Sequence, residues 1–162
     1  MAAQVKKIPA GYHAVTPYLV VNDATRAIDF YKQAFGAKEL TRMGAPGGKI
    51  GHAELKIGDS MIMISDEMMG NKSPKTLGGS PVSIFLYVED VDSVFKQALN
   101  AGARSDAAPS DMFWGDRYGR LTDPFGHSWA VATHVEDVAP AEMEKRAKAA
   151  MAQMSQSAAQ GS

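Results

Sequence analysis

The sequence predicts an α+β chain made of two tandem βαβββ modules followed by a C-terminal helix. Three observations predict it. First, the order strand, capped helix, helix-ending glycine, short run, loop and hairpin occurs twice, with Val21-Asn22-Asp23 and Val88-Glu89-Asp90 in matching places. Second, two alternating apolar runs flank Gly58-Asp59, a hairpin signature. Third, the stretch Ser110 to Ala132 pairs a loop rich in aromatics and charges with the turn Asp123-Pro124-Phe125-Gly126 between two apolar runs. Proline presets φ there and glycine supplies the positive-φ position, so this too reads as a hairpin.

In order along the chain, residues 1–12 read as a disordered lead and residues 13–70 as the first module. His13 to Val21 is rich in β-branched and aromatic residues and predicts a strand. Asn22-Asp23 offers a cap, Ala27, Ile28, Tyr31 and Phe35 recur at helical spacing, and Gly36 closes the helix. Residues 38–43 predict a short strand, Ala45 to Gly48 a flexible loop, and Lys49 to Glu67 the hairpin. Residues 71–80 carry turn formers without a period and predict a linker. Residues 81–135 repeat the plan as the second module, 137–154 predict a helix with Pro140 near its first turn, and 155–162 a disordered tail.

Composition narrows the function classes. A hydrophobic share of 45% supports a core, and a net charge of −1 provides no field to draw in nucleic acid or an acidic membrane. The absence of cysteine removes disulfides, thiolate zinc sites and a cysteine nucleophile. No run is long and apolar enough for a membrane span, and no signal-peptide core stands near the start, so the expected compartment is the cytoplasm. Glycine-rich phosphate loops and G-x-S-x-G elbows are missing. Trp114, Asp116, Arg117 and Tyr118 either plug the end of a sheet or form a recognition surface.

The segments TPYLVV…AIDFYKQAFGA, HAELKIGDSMIMISD and DMFWGDRYGRLTDPFGHSWAVAT, over residues 13–134, resemble the vicinal-oxygen-chelate superfamily. That group holds glyoxalase I, extradiol dioxygenases, fosfomycin-resistance transferases and bleomycin-resistance proteins; the likeness is strongest to its PhnB-like glyoxalase/bleomycin-resistance branch. The resemblance implies half-barrel sheets around a concave cavity, with helices on the convex sides. Metal-using members bind a divalent ion through histidine and glutamate on the first and last strands of each module. Carried over, those positions fall on Thr16, Met63, Ser83 and Ala130, which offer hydroxyls, a thioether and a methyl group. Such a set lacks the nitrogen and oxygen donors that divalent ions prefer.

The resemblance therefore implies a small-molecule-binding homodimer without a cofactor. Its cavity would be lined by Thr16, Tyr18, His52, Glu54, Met61, Met63, Ser83, Phe85, Trp114, Tyr118 and Ala130, with Asp116 and Arg117 orienting the ligand or pairing together. One alternative is a metal-dependent lyase, isomerase or dioxygenase with a shifted site. His52 and Glu54, two apart on a strand, share a face and would need His13 or His127 as a third ligand for a divalent metal. Another is a regulatory or scaffold role in which the C-terminal helix engages a different protein.

Overall fold

The computed structural model describes residues 5–160, and the ends of the expected lead and tail, 1–4 and 161–162, lie outside the described residues. The first module contains β1 (Tyr18–Val21), α1 (Ala24–Phe35), β2 (Lys38–Ala45), β3 (Lys49–Ile57) and β4 (Ser60–Asp66). A short helix, α2 (Pro74–Leu77), connects it to β5 (Ser83–Tyr87), α3 (Val91–Ala101), β6 (Arg104–Asp111), β7 (Asp116–Thr122) and β8 (Ser128–His134). The chain closes with α4 (Pro140–Gln160). Each module forms its own open sheet, ordered β1-β4-β3-β2 and β5-β8-β7-β6, with one parallel pair and two antiparallel pairs. The repeat read from the sequence is thus a repeat of topology.

Local chemistry fixes the helices alike. Asp23 accepts from the Arg26 amide and Asp90 from the Ser93 amide, while Gly36 and Gly102 end the helices at φ 65° and 115°. Alternation in the strands sends Leu19, Leu55 and Ile64 of the first sheet, and Leu121, Trp129 and Val131 of the second, into the core beneath the helices. Where the helices meet, the ring of Trp129 lies 5.4 Å from Tyr31 and 4.5 Å from Phe35. Asp123, from the turn before β8, is buried and accepts from Tyr31 (2.7 Å), Trp129 Nε1 (2.9 Å) and the amides of Phe125 and His127.

Several boundaries differ from expectation, each for a physical reason. Pro17 has no amide proton to give the ladder, so β1 starts after it and only its carbonyl takes part, accepting from Met63 at 2.9 Å. The segment Pro46–Gly48, expected to be a flexible loop, is a 3-10 turn. The expected linker contains α2 because Ser73 caps it, Pro74 occupies its first turn, and Glu67 accepts from the Ser73 amide and the Thr76 hydroxyl. The C-terminal helix begins three residues late, since the residue before a proline is driven from helical geometry. It continues beyond Met154 through alanines and glutamines that favour a helix. Within the lead, residues 9–12 form a turn closed by Tyr12 on the Pro9 carbonyl.

Candidate ligand-binding site

The faces opposite the helices are set by register. In the first sheet Tyr18 pairs with Met63 and Met63 with Glu54, so these three share a row, with His52 and Met61 nearby on the same face. In the second sheet one row reads Phe85, Ala130, Arg120, and a neighbouring one Tyr87, Ala132, Tyr118. Ser83 and Ser128 make a third row, with Ser128 donating to Ser83 at 3.3 Å.

On the first sheet the rings of Tyr18 and His52 stand 5.8 Å apart, and His52 Nε2 lies 3.4 Å from Glu54 Oε1. A cavity of about 530 Å³ here is bordered by Tyr12, His13, Thr16, Glu54 and Met63. Tyr12 hangs over Glu54 with its hydroxyl shielded from water. That shielding first, and the neighbouring carboxylate second, push its pKa up to about 12. Thr16 donates to the His13 carbonyl, which leaves its hydroxyl oxygen as an acceptor at the cavity's border, and Met61 is 5% exposed.

The second sheet carries a chain of rings. Centroids lie 4.9 Å apart for Tyr87 and Phe85, 5.6 Å for Phe85 and Tyr118, 5.7 Å for Tyr118 and Trp114, and 5.1 Å for Trp114 and Phe113. Asp116 ties the first ring to the fourth: its buried carboxylate accepts from Tyr87 (3.0 Å), Trp114 Nε1 (3.0 Å) and His134 Nδ1 (2.8 Å). Burial alone would raise its pKa, but those three donors hold it below the ordinary range. A further cavity of about 530 Å³ is bordered by Tyr18 from β1 and by Ser83 and Phe85 from β5, joining the two modules' residues.

The structure separates other residues from the site. Arg117 points to the helix side and pairs with Asp92 at 2.7 Å and Asp111 at 3.1 Å, so it neither orients a cavity ligand nor pairs with Asp116. Alternation along β7 compels this, because Asp116 and Tyr118 already take the other face. His127 Nε2 bonds the Val20 carbonyl at 3.0 Å and ties the modules together rather than completing a metal site. Tyr12, Tyr87 and Arg120 join the candidate surface although the sequence reading passed over them. Two-residue spacing from Phe85 and Tyr118 marks the last two; nothing in the sequence marks Tyr12.

The donor set does not suit the family's divalent ion. Thr16, Met63, Ser83 and Ala130 provide no imidazole or carboxylate, and among the described residues no three His, Asp or Glu side chains gather where a metal would fit. His52 and Glu54 remain a pair without a third protein ligand among the described residues. Among the described residues, no helix is long and apolar enough to cross a membrane.

Comparison with known proteins agrees with the fold. The sequence model of the glyoxalase/bleomycin resistance protein/dioxygenase superfamily matches residues 12–131. An uncharacterised protein of Mycobacterium tuberculosis is 51% identical over 130 residues, covering 77% of this chain and 76% of its own. The crystal structure of TioX from Micromonospora sp. ML1 superimposes with a TM-score of 0.61 at 28% identity, covering 76% of this chain and 99% of its own. A PhnB protein from Bacillus cereus, at 18% identity and a TM-score of 0.58 over 75% of this chain and 99% of its own, shares the fold. With its duplicated sheets and a family match over most of its length, this chain belongs to the glyoxalase/bleomycin resistance protein/dioxygenase superfamily.

Proposed function

We propose that the protein binds a flat, largely apolar small molecule on the concave faces of its sheets, without the superfamily's usual metal site. The observation that carries this is the run of rings from Tyr87 through Phe85 and Tyr118 to Trp114. Phe85 is 47% exposed and Tyr87 61%, on the face of edge strand β5 that turns away from the helices. Aromatic surface left open in a concavity is what a planar ligand can cover, gaining about 25 cal/mol for each Å² of apolar area buried. The Asp116–His134 pair beside the rings is taken up by Tyr87, Trp114 and Asp137, an arrangement that holds the rings in place and favours binding. The likeness to the PhnB-like and bleomycin-resistance branch points the same way.

The same openness supports a homodimer. Val15, Tyr18 and Val82 are 85%, 46% and 66% exposed around the junction of β1 and β5, and a second copy would cover them as it completed each cavity. Sedimentation at micromolar concentration should show a dimer; monomer alone would remove this part of the reading.

Thermal-shift screening with polycyclic aromatics tests the binding reading, because a ligand selective for the folded state raises Tm. Stabilisation that Phe85→Leu abolishes is expected. One divalent metal per chain in the purified protein, lost on His52→Ala, would instead establish the metal-dependent lyase, isomerase or dioxygenase reading.

A further inference from the structure

We infer that Arg120 anchors an acidic group on the ligand, so that this site selects planar aromatic acids over their neutral counterparts. This deepens the binding reading above and rests on it. Arg120 stands on the ring-bearing face of the second sheet, in the row Ala107, Arg120, Ala130, Phe85. Its two neighbours in the row are alanines, so no side chain there can engage the guanidinium. Ala130 is only 2% exposed, so the longer side chains around it close over its methyl group.

The carboxylates close to this face are already committed. Asp116 accepts from Tyr87, Trp114 and His134, and Asp106 from Arg104 and Thr122. Arg104, Arg117 and Arg146 all bind carboxylates, whereas Arg120 is exposed and makes no ion pair or side-chain hydrogen bond among the described residues. An arginine without a carboxylate, on the same sheet face as the rings, presents its planar fork to a ligand lying across them.

The spacing fits an acid carried on a fused-ring system. Arg120 is two strands from Phe85, on the order of 10 Å, and two residues from Tyr118, about 7 Å. The arginine stem covers part of that span, leaving room for two fused rings against Phe85 and Tyr118 with the acidic group on the guanidinium. Ser83, which accepts from Ser128, keeps its own hydroxyl proton for a second polar contact one row away.

Calorimetric titration with 2-naphthoate and its neutral isostere 2-naphthamide tests the inference on the full chain. The wild type should bind the acid about tenfold more tightly at low salt, a preference that shrinks as salt screens the guanidinium. Arg120→Gln should bind both equally while its melting temperature and circular dichroism stay unchanged, since the side chain touches nothing structural. Phe85→Leu should weaken both compounds to a similar degree. Equal binding of acid and amide by the wild type, or a preference that survives Arg120→Gln, would overturn the anchoring role and leave aromatic binding standing. Failure of both compounds to bind the wild type at millimolar concentration would sink the binding reading, and this inference with it.

Discussion

Asp123 shows how much one side chain can organise. Its carboxylate satisfies the phenol of Tyr31, the indole of Trp129 and two turn amides, all inside the junction of the modules. Burial first, then the adjacent Asp123, hold the Tyr31 phenol well above its usual pKa, so it stays a donor at any working pH. Replacing Asp123 by alanine strands these donors without water. The expected loss is about 3–5 kcal/mol, as for breaking a buried charged network from one side. Urea titration should show the midpoint falling at an unchanged slope. Asp123→Asn should cost less, because the amide oxygen can still accept. The sequence made the turn legible through Asp-Pro-Phe-Gly, but not the burial of its aspartate, since its partner Tyr31 is brought there from the first module only by tertiary packing. Arg117 carries the converse lesson: composition placed it in a recognition loop, and alternation along a strand turned it away.

At the scale of elements, α4 is held by a small set of polar contacts at its root. Arg146 binds Glu136 at 2.8 Å and Glu142 at 3.1 Å, and the amides of Val135 and Glu136 both donate to the Gly115 carbonyl. Gly115 has φ 98°, and a Cβ there would sit 2.1 Å from the Glu136 carbonyl oxygen. Gly115→Ala should therefore expel the segment 135–138 and expose it to protease while the sheets persist. His134 adds a pH dependence to the same root. Its hydrogen bonds to Asp137 first and Asp116 second raise its pKa above the ordinary value near 6.5. A raised folded value means that the contribution is fully present below about 6.5 and is lost as pH rises through the higher folded value. Amide exchange at Val135 and Glu136 should accelerate over that window, and His134→Gln should flatten the response. Helix α1 was legible to the residue because its cap, apolar spacing and terminal glycine agree. Helix α2 was not, because four residues give no period and its support comes from Glu67 across a loop.

For the whole molecule the question is whether two modules unfold as one. Neither is large enough to bury a sufficient core alone, since domains of this size leave much of their surface in water. They share the contact of Trp129 with Tyr31 and Phe35, the Asp123 network, the His127 bond to Val20, and Gln97, whose amide donates to the Gln33 carbonyl at 2.6 Å. Gly126 also lies so close to Pro74 that α2 is wedged against the second module's turn. Shared contacts of this kind are lost together, so urea unfolding at fixed protein concentration should be a single transition. Fluorescence reads the junction through Trp129 and the ligand face through Trp114, whereas far-UV circular dichroism reads both sheets. Coincident curves are expected from the two probes. A dichroism plateau persisting after the fluorescence change would mean that one module outlives the other and that the junction contributes little. Trp129→Ala sharpens the comparison: it should remove about 3–5 kcal/mol through lost burial and a cavity. Because the deleted ring belongs to both modules' cores, the loss should shift both probes equally rather than divide the transition.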